Sequence, residues 1–256
     1  MPELPEAETI VRTLRSSVEG RRIVRAEFFA RRVCQHAPGL LEGRRIDTVT
    51  RYGKHIHFQL DSGVLAVKLG MTGSLLVNQQ PGGYTRARLI LDQGTVCFDD
   101  TRQFGSLQWQ PDSGNRLGPD PLEITAEEFA RRLGNRNTEA KRALLDQSFV
   151  RGVGNIYADE ALFRAGIHPR ARTRRLRVQR ARHLHASLAE LLEEAITLRG
   201  SSVSDYVDAS GQEGDFQTLH RVYRKHGEPC VQCGTEIRRI VITQRGTHFC
   251  PNCQRR

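Results

Sequence analysis

Cys230, Cys233, Cys250 and Cys253 constrain this chain more than any other feature. They form two Cys-x-x-Cys pairs separated by sixteen residues. Each pair closes a tight knuckle that aims two thiolates at one tetrahedral ion, the donor set of a zinc site. Four soft ligands leave no open coordination position, so one structural zinc ion is expected, holding a fold and performing no chemistry. The competing reading is two disulfides in a secreted domain. It conflicts with an acidic start that lacks the apolar run of a secretory signal. The stretch between the pairs reads as a hairpin, IRRIVIT and THFC, turning at Gln244, Arg245 and Gly246. A metal-pinned turn would hold Arg245 outward on a rigid support. Cys34 and Cys97 lack partners at metal spacing and read as small buried apolar residues.

A zinc-pinned hairpin needs a partner to explain it, and the charge suggests one. Lys and Arg total 39 against 29 Asp and Glu, a formal charge of +10, which suits a polyanion such as nucleic acid. No acid lies between Glu160 and Glu190, a stretch that carries Arg164, Arg170, Arg172, Arg174, Arg175, Arg177, Arg180 and Arg182. It reads either as a solvated helix face or as a phosphate-facing surface. With 38% hydrophobic residues a packed core is expected, not disorder. No run of about 18 apolar residues occurs, so no membrane span is expected. A cytoplasmic protein is expected, and it is read as a monomer.

Apolar residues at Ala7, Ile10, Val11, Leu14 and Val18 predict a first helix, with Pro5 in its first turn and Gly20 as its stop. Strand-like segments follow at RIVRAEFF, KHIHFQL and GVLAVKL, then ARLILDQGTVCF folded at Asp92, Gln93 and Gly94. A Pro-, Gly- and Asp-rich stretch over 110–125 reads as a linker. Beyond it the pattern is helical, with a short helix at Ala140, Ala143 and Leu144. A second lies at Ala158, Ala161 and Leu162, and a long third runs through Ala181, Leu188 and Ala195 to Gly200. The fold class is therefore α+β. Residues 1–120 form an N-terminal helix plus antiparallel β-sandwich domain, and residues 121–256 form a helical domain with the zinc finger at 226–256.

Two glycine-supported sites stand out. Gly152 and Gly154 precede a helix beginning near Asn155, where free amides favour phosphate. Met71 in LGMTGSL, and Arg102 with Phe104 in DDTRQFG, sit beside glycines on loops. They read either as core or as wedges that enter a base stack.

These pieces together are similar to bacterial formamidopyrimidine-DNA glycosylase. The matching stretches are MPELPEAET, RYGKHIHF, KLGMTGSL, DDTRQFG, LGPDPL, SFVRGVGNIYADEALFRAGIHP, GDFQTLHRVYRKHGEPC and the zinc segment through CPNCQ. The resemblance implies a helix–two-turn–helix in the second domain, DNA held in a cleft between domains, and removal of oxidised purines followed by strand cleavage. It implies double-stranded DNA with oxidised bases or abasic sites as partner, at the bacterial nucleoid. It also gives Pro2 the nucleophile's part, Glu3 the acid's, and Glu6 a supporting carboxylate's. Lys54 and Arg245, counted with the catalytic residues, match positions that grip the phosphates flanking the lesion, together with Asn155, and Lys68 is a further DNA contact. Met71, Arg102 and Phe104 then fill the gap left by the flipped nucleotide.

The chemistry is consistent with those parts. With Met1 removed, Pro2 exposes a secondary amine, and an α-amine titrates at about 8, far below lysine. Attack on the anomeric carbon of a nucleotide expels the base and leaves an iminium ion that has no nitrogen proton to lose. That fixed cation acidifies the adjacent sugar carbon and promotes elimination, while an acid beside the nucleophile protonates the sugar ring oxygen. Flipping is required because the reacting carbon is inaccessible in a stacked duplex. The polar, glycine-rich segment 199–216 is expected to be a mobile loop, and the resemblance implies that it closes over the extruded base.

The chain departs from the family pattern at Lys68, where His is common, and at Arg86 and Arg88, where His-x-His is common. Thr101 and Gln103 replace the usual proline and arginine around Arg102. Two rival readings are an endonuclease VIII-type glycosylase for oxidised pyrimidines, which usually reads PEGP where this chain has PELP, and a non-catalytic zinc-containing protein that binds damaged DNA.

Overall fold

The computed structural model describes residues 2–34, 38–110 and 117–256. Part of the expected linker, residues 111–116, lies outside the described residues. By contacts the chain divides into two compact units. The first is Met1–Asn115 with Ile196–Gln217, and the second is Arg116–Ala195 with Thr218–Arg256.

Unit 1 opens with helix α1 (Leu4–Val18), whose buried stripe of Leu4, Ala7, Ile10, Val11, Leu14 and Val18 repeats at helical spacing. Gly20 follows at φ +77°, a left-handed value that lets the chain leave the helix sharply. Eight strands follow: β1 (Ile23–Phe28), β2 (Ile46–Tyr52), β3 (His55–Leu60), β4 (Val64–Lys68), β5 (Gly73–Val77), β6 (Thr85–Leu91), β7 (Thr95–Asp100) and β8 (Ser106–Gln110). They form two antiparallel four-stranded sheets, ordered β1-β6-β7-β5 and β2-β3-β4-β8. In β6 buried and half-buried residues alternate strictly, the pattern of a sheet with one face on the core. Ile56, Phe58, Val67 and Leu107 of one sheet, Leu75, Leu89, Val96 and Phe98 of the other, and Ile10 and Leu14 of α1 share one core. Cys34 and Cys97 are buried, and burial pushes the Cys34 thiol up to about 12, so it is an apolar filler.

Segment 199–216 is not the free loop its composition suggests. Tyr206 and Ala209 belong to the unit 1 core. The Ala209 amide donates to the Thr13 hydroxyl (3.2 Å), and the Ala209 carbonyl accepts from Val77 (3.0 Å). Buried Asp208 accepts the amides of Ser210 and Gln212 (2.8 and 3.0 Å). Short side chains and glycines give the segment a polar look, but its two apolar anchors dock it.

Unit 2 holds helices α2 (Ala126–Gly134), α3 (Ala140–Leu145), α4 (Asn155–Arg164) and α5 (Val178–Thr197), whose last two residues fall in unit 1. The Thr125 hydroxyl caps α2 by accepting the Glu128 amide at 3.2 Å. Strands β9 (Arg238–Ile242) and β10 (Arg245–Phe249) form the hairpin. Its turn is tighter than the sequence pattern suggests. Ile242 pairs with Arg245, leaving only Thr243 and Gln244 at the tip, with φ of +47° and +58°. Two left-handed residues make the turn whose twist matches the flanking strands, so Arg245 opens β10 and is not itself part of the turn.

Candidate active site and nucleic-acid interface

The start of the chain is packed, not frayed. Pro2, Glu3 and Glu6 are all buried. The Glu3 amide donates to Glu6 Oε2 at 2.7 Å, closing the first turn of α1. Glu6 Oε1 accepts the Ser201 amide at 2.8 Å. Gly200, at φ +80°, lies so close that a Cβ there would sit 2.7 Å from Glu6 Oε1. The docked segment 199–216 thus fixes the Glu6 carboxylate, and Glu6 fixes the backbone of Glu3, next to Pro2. Burial and the Glu6 charge raise the Tyr206 hydroxyl well above its ordinary range, so it stays a neutral donor to the Arg199 carbonyl (3.0 Å).

Lys54 sits in the tight turn between β2 and β3, after Gly53 at φ +63°. Lys68 lies across the ladder from His55, one residue beyond Lys54. Burial, then the Lys68 and Lys54 charges, lower the His55 pKa. Lys54 and Lys68 therefore share one electropositive neighbourhood around His55.

Met71, Arg102 and Phe104 form one exposed cluster, so the core reading for Met71 and Phe104 fails. Met71 is 42% exposed and Phe104 46%. An Arg102 Nη1 lies 3.4 Å from Met71 Sδ, and its guanidinium carbon is 4.6 Å from the Phe104 ring centre. Behind this cluster sits Asp100, fully buried. Its carboxylate accepts the Thr72 hydroxyl (2.6 Å) and the amides of Arg102 (3.2 Å) and Gly105 (2.7 Å). Gly70 makes the approach of the two loops possible, since a Cβ there would lie 2.6 Å from the Gly105 nitrogen. Gln103 takes φ +53°, so the loop is tightly turned and is held by Asp100.

In unit 2, Asn155 and Arg245 are brought together through β10. Asn155 Nδ2 donates to the Gly246 carbonyl at 3.0 Å, and Arg245, next in chain, is exposed. One helical turn on, Asp159 Oδ2 accepts the His248 amide at 2.9 Å. Four helix residues advance about 6 Å and two strand residues about 6.8 Å, so Asn155 and Asp159 keep pace with Gly246 and His248. Buried Lys141 from α3 completes the clamp, with Nζ 2.6 Å from Asp159 Oδ1 and 3.3 Å from the Gly246 carbonyl. Sequence reasoning misses Lys141, Asp159 and His248, and also Asp100. The Asn155/Asp159 four-residue spacing is the available signal.

The four cysteine sulfurs all lie within 4.8 Å of one another, with Cys233 to Cys250 at 3.5 Å and Cys230 to Cys253 at 3.9 Å. Tetrahedral zinc with thiolates at about 2.3 Å requires sulfurs about 3.8 Å apart, so the cradle fits that ion. Hydrogen bonds from Thr235 and Asn252 lower the Cys233 thiol to about 5, toward the thiolate that a metal needs. Burial and the neighbouring sulfurs raise Cys253, a crowding that a dication relieves. Cys230 and Cys250 pack with Phe163, Val222 and Ile237, which ties the finger to α4. Glu160 of α4 accepts the amides of Arg221, Val222 and Tyr223 (3.0, 3.0 and 2.8 Å), fixing the chain that enters the finger.

Comparison with known proteins agrees along the whole length. Residues 1–107 match the formamidopyrimidine-DNA glycosylase N-terminal domain, 117–207 its H2TH domain, and 227–256 a zinc finger found in FPG and IleRS. A formamidopyrimidine-DNA glycosylase of Solibacter usitatus is 53% identical over 265 residues, covering 100% of both chains. The chain belongs to the formamidopyrimidine-DNA glycosylase family. A relative of that name in Thermus thermophilus is 44% identical over 99% of this chain and 98% of its own. The crystal structure of the Thermus thermophilus MutM (FPG) protein matches with a TM-score of 0.91 and 42% identity, covering 99% of this chain and 98% of that one. A Lactococcus lactis FPG variant bound to Fapy-dG-containing DNA matches with a TM-score of 0.92 and 33% identity, covering 100% of both. Neither rival reading, the endonuclease VIII type or the non-catalytic binder, is favoured by these glycosylase matches. The H2TH match over residues 117–207 spans α2 to α5, and the four-cysteine hairpin is the zinc finger with one structural zinc ion. Among the described residues no helix is long and apolar enough to cross a membrane.

Proposed function

We propose that this chain is a base-excision-repair DNA glycosylase and AP lyase that removes 8-oxoguanine and formamidopyrimidines from double-stranded DNA. Pro2, freed of Met1, attacks the anomeric carbon of the damaged nucleotide. The glycosidic bond breaks with its electrons leaving on the base, the proline nitrogen gives up its proton to the departing base, and the bond from the anomeric carbon to the ring oxygen then opens, which leaves an iminium linking enzyme to sugar. Loss of a proton from the adjacent sugar carbon then drives β-elimination of the 3′ phosphate, and δ-elimination releases the 5′ phosphate. Glu3 protonates the ring oxygen and Glu6 fixes its backbone. The observation that carries this reading is the buried chain of hydrogen bonds from Ser201 through Glu6 to Glu3, beside Pro2. Such a chain organises a terminus that decoration of a helix start would not need.

Lys54, Lys68, Asn155 and Arg245 bind phosphates, and Met71, Arg102 and Phe104 occupy the space of the flipped nucleotide. That assignment is supported by their exposure or loop placement on rigid backing. Zinc would be held by Cys230, Cys233, Cys250 and Cys253, and when bound it supplies rigidity to the hairpin that carries Arg245. Residues 1–120 serve as the catalytic domain and 121–256 as the DNA-binding domain, in a cytoplasmic monomer acting at the nucleoid. Matched duplexes carrying 8-oxoguanine or thymine glycol test the substrate class. Faster excision of 8-oxoguanine is expected, and a preference for thymine glycol would refute it.

A further inference from the structure

The arginine-rich stretch after α4 is not absorbed by the site above. Its arginines divide sharply by what they touch. Arg180 donates to the carbonyls of Gly166, Arg255 and Arg256, Arg164 pairs with Glu194, Arg170 lies 3.6 Å from Glu139, and Arg182 lies 3.5 Å from Glu127. By contrast Arg172, Arg174, Arg175 and Arg177 are exposed, and among the described residues their guanidinium groups have no hydrogen-bond or ion-pair partner. Their backbone is well fixed. Arg172 bridges Glu139, a short 3-10 turn spans Thr173–Arg175, and buried Thr173 ties that turn to Thr138 (3.0 Å). Arg255 and Arg256 are exposed beside it, with Arg255 bridged to Ile167. Burial, then the Arg256 and Arg170 charges, depress the His168 pKa, which fits one continuous positive field.

The place of this patch within unit 2 separates it from Asn155. Asn155 begins α4 at the end where residues 146–154 join α3. The patch lies at the opposite ends of both helices, where Ala140 donates to the Ala171 carbonyl and His168 to the Arg255 carbonyl. The ten residues of α4 put about 15 Å between the two ends. A protein partner would call for an apolar or aromatic centre. The stretch offers only Val178 as an exposed large apolar side chain. Unpartnered guanidinium forks on a fixed backbone, without apolar anchors, suit phosphate oxygens along a nucleic-acid strand.

We propose that Arg172, Arg174, Arg175 and Arg177 form a second DNA-binding surface that takes the backbone of another, undamaged duplex while the lesion site is filled. The proposal rests on the DNA-repair reading only for the choice of duplex DNA as the polyanion. Such a surface would let the enzyme pass between neighbouring DNA segments without first dissolving its contact with either.

The test uses the full zinc-loaded chain, first saturated with a short duplex bearing a tetrahydrofuran abasic analogue. A fluorescent undamaged duplex is then titrated in, followed by anisotropy. Wild type is expected to take up this second duplex, with log affinity falling against log salt at a slope of about −3.6 for four phosphates. Replacing all four residues together (Arg172→Gln, Arg174→Gln, Arg175→Gln, Arg177→Gln) should weaken that uptake at least tenfold, while nicking of a short 8-oxoguanine duplex is unchanged. The corresponding four Arg→Lys changes should restore most of it. Absence of a second duplex on wild type, equal uptake by the Gln variant, or equal uptake of single-stranded RNA or polyglutamate would overturn the proposal. So would loss of short-duplex nicking in the Gln variant. Failure of the wild type to nick at all would instead count against the proposed function.

Discussion

Two exposed arginines, Arg102 in unit 1 and Arg245 in unit 2, are presented in parallel ways on unrelated scaffolds. Each stands beside left-handed, non-glycine backbone: Gln103 at φ +53°, and Thr243 and Gln244 at +47° and +58°. Each is backed by a fully buried aspartate, Asp100 or Asp159. The difference lies in how that buried charge is balanced. Asp100 is met by one hydroxyl and two amides at 2.6–3.2 Å. Asp159 is met by the buried Lys141 ammonium at 2.6 Å and by the His248 amide. A local loop can be held by its own amides. A hairpin carried by a small metal module, docked on helices far away in sequence, is held by an ion pair and a zinc ion. In these two supports a buried acid stands behind the exposed cation, and the distance in sequence separates the partners that neutralise the acid.

The largest expected effect strikes the metal-held side alone. Cys250→Ser should release zinc and forfeit on the order of 10 kcal/mol of metal-coupled folding free energy. Zinc content and DNA binding should both collapse, while the β-sandwich signals of unit 1 persist. Next come the two buried acids. Lys141→Met leaves Asp159 uncompensated and should cost about 3–5 kcal/mol in thermal unfolding. Asp100→Ala removes three hydrogen bonds to a charge and should cost about 2–3 kcal/mol, with slowed excision but intact non-specific binding. Equal costs would erase the contrast between the two supports.

How much of this is legible from sequence follows the same divide. The zinc cysteines, Asn155, Arg245, Arg102 and the Pro2-Glu3 start stand in short motifs, so local spacing exposes them. Lys141, Asp159 and His248 meet across 18 and 89 residues, and the Lys141–Gly246 contact spans 105, so no local pattern reveals them. The hairpin tip lies earlier than the pattern predicts because Thr243 and Gln244 take backbone angles that usually signal glycine. Helix α2 and strands β2, β5 and β8 escape the sequence pattern, β5 being a short run inside the glycine-rich LGMTGSL. Segment 199–216 reads as mobile because Tyr206 and Ala209 are only two apolar residues in a polar stretch, yet both enter the core.

A smaller effect separates the arginines by role. Arg245→Ala should weaken binding evenly across sequences and reduce the salt slope by about 1. Arg102→Ala should leave the slope intact and alter discrimination of the opposite base instead. The smallest effect treats the units alike. Burial first, then nearby positive charge, lowers both His57 in unit 1 and His220 in unit 2 from 6.5 to about 4. The folded chain therefore binds fewer protons than the unfolded one between those values. Stability should fall as pH drops from 6.5 toward 4, and His57→Gln and His220→Gln should each flatten that fall in an acid melting series.

The central claim is that the amine of Pro2 forms the bond to DNA. Borohydride reduction during turnover on an 8-oxoguanine duplex, followed by peptide mass mapping, tests it most directly. The account predicts a covalent adduct on a peptide that begins at Pro2 and lacks Met1. An adduct mapped to any lysine, or nicking by protein whose Met1 is retained, would contradict it.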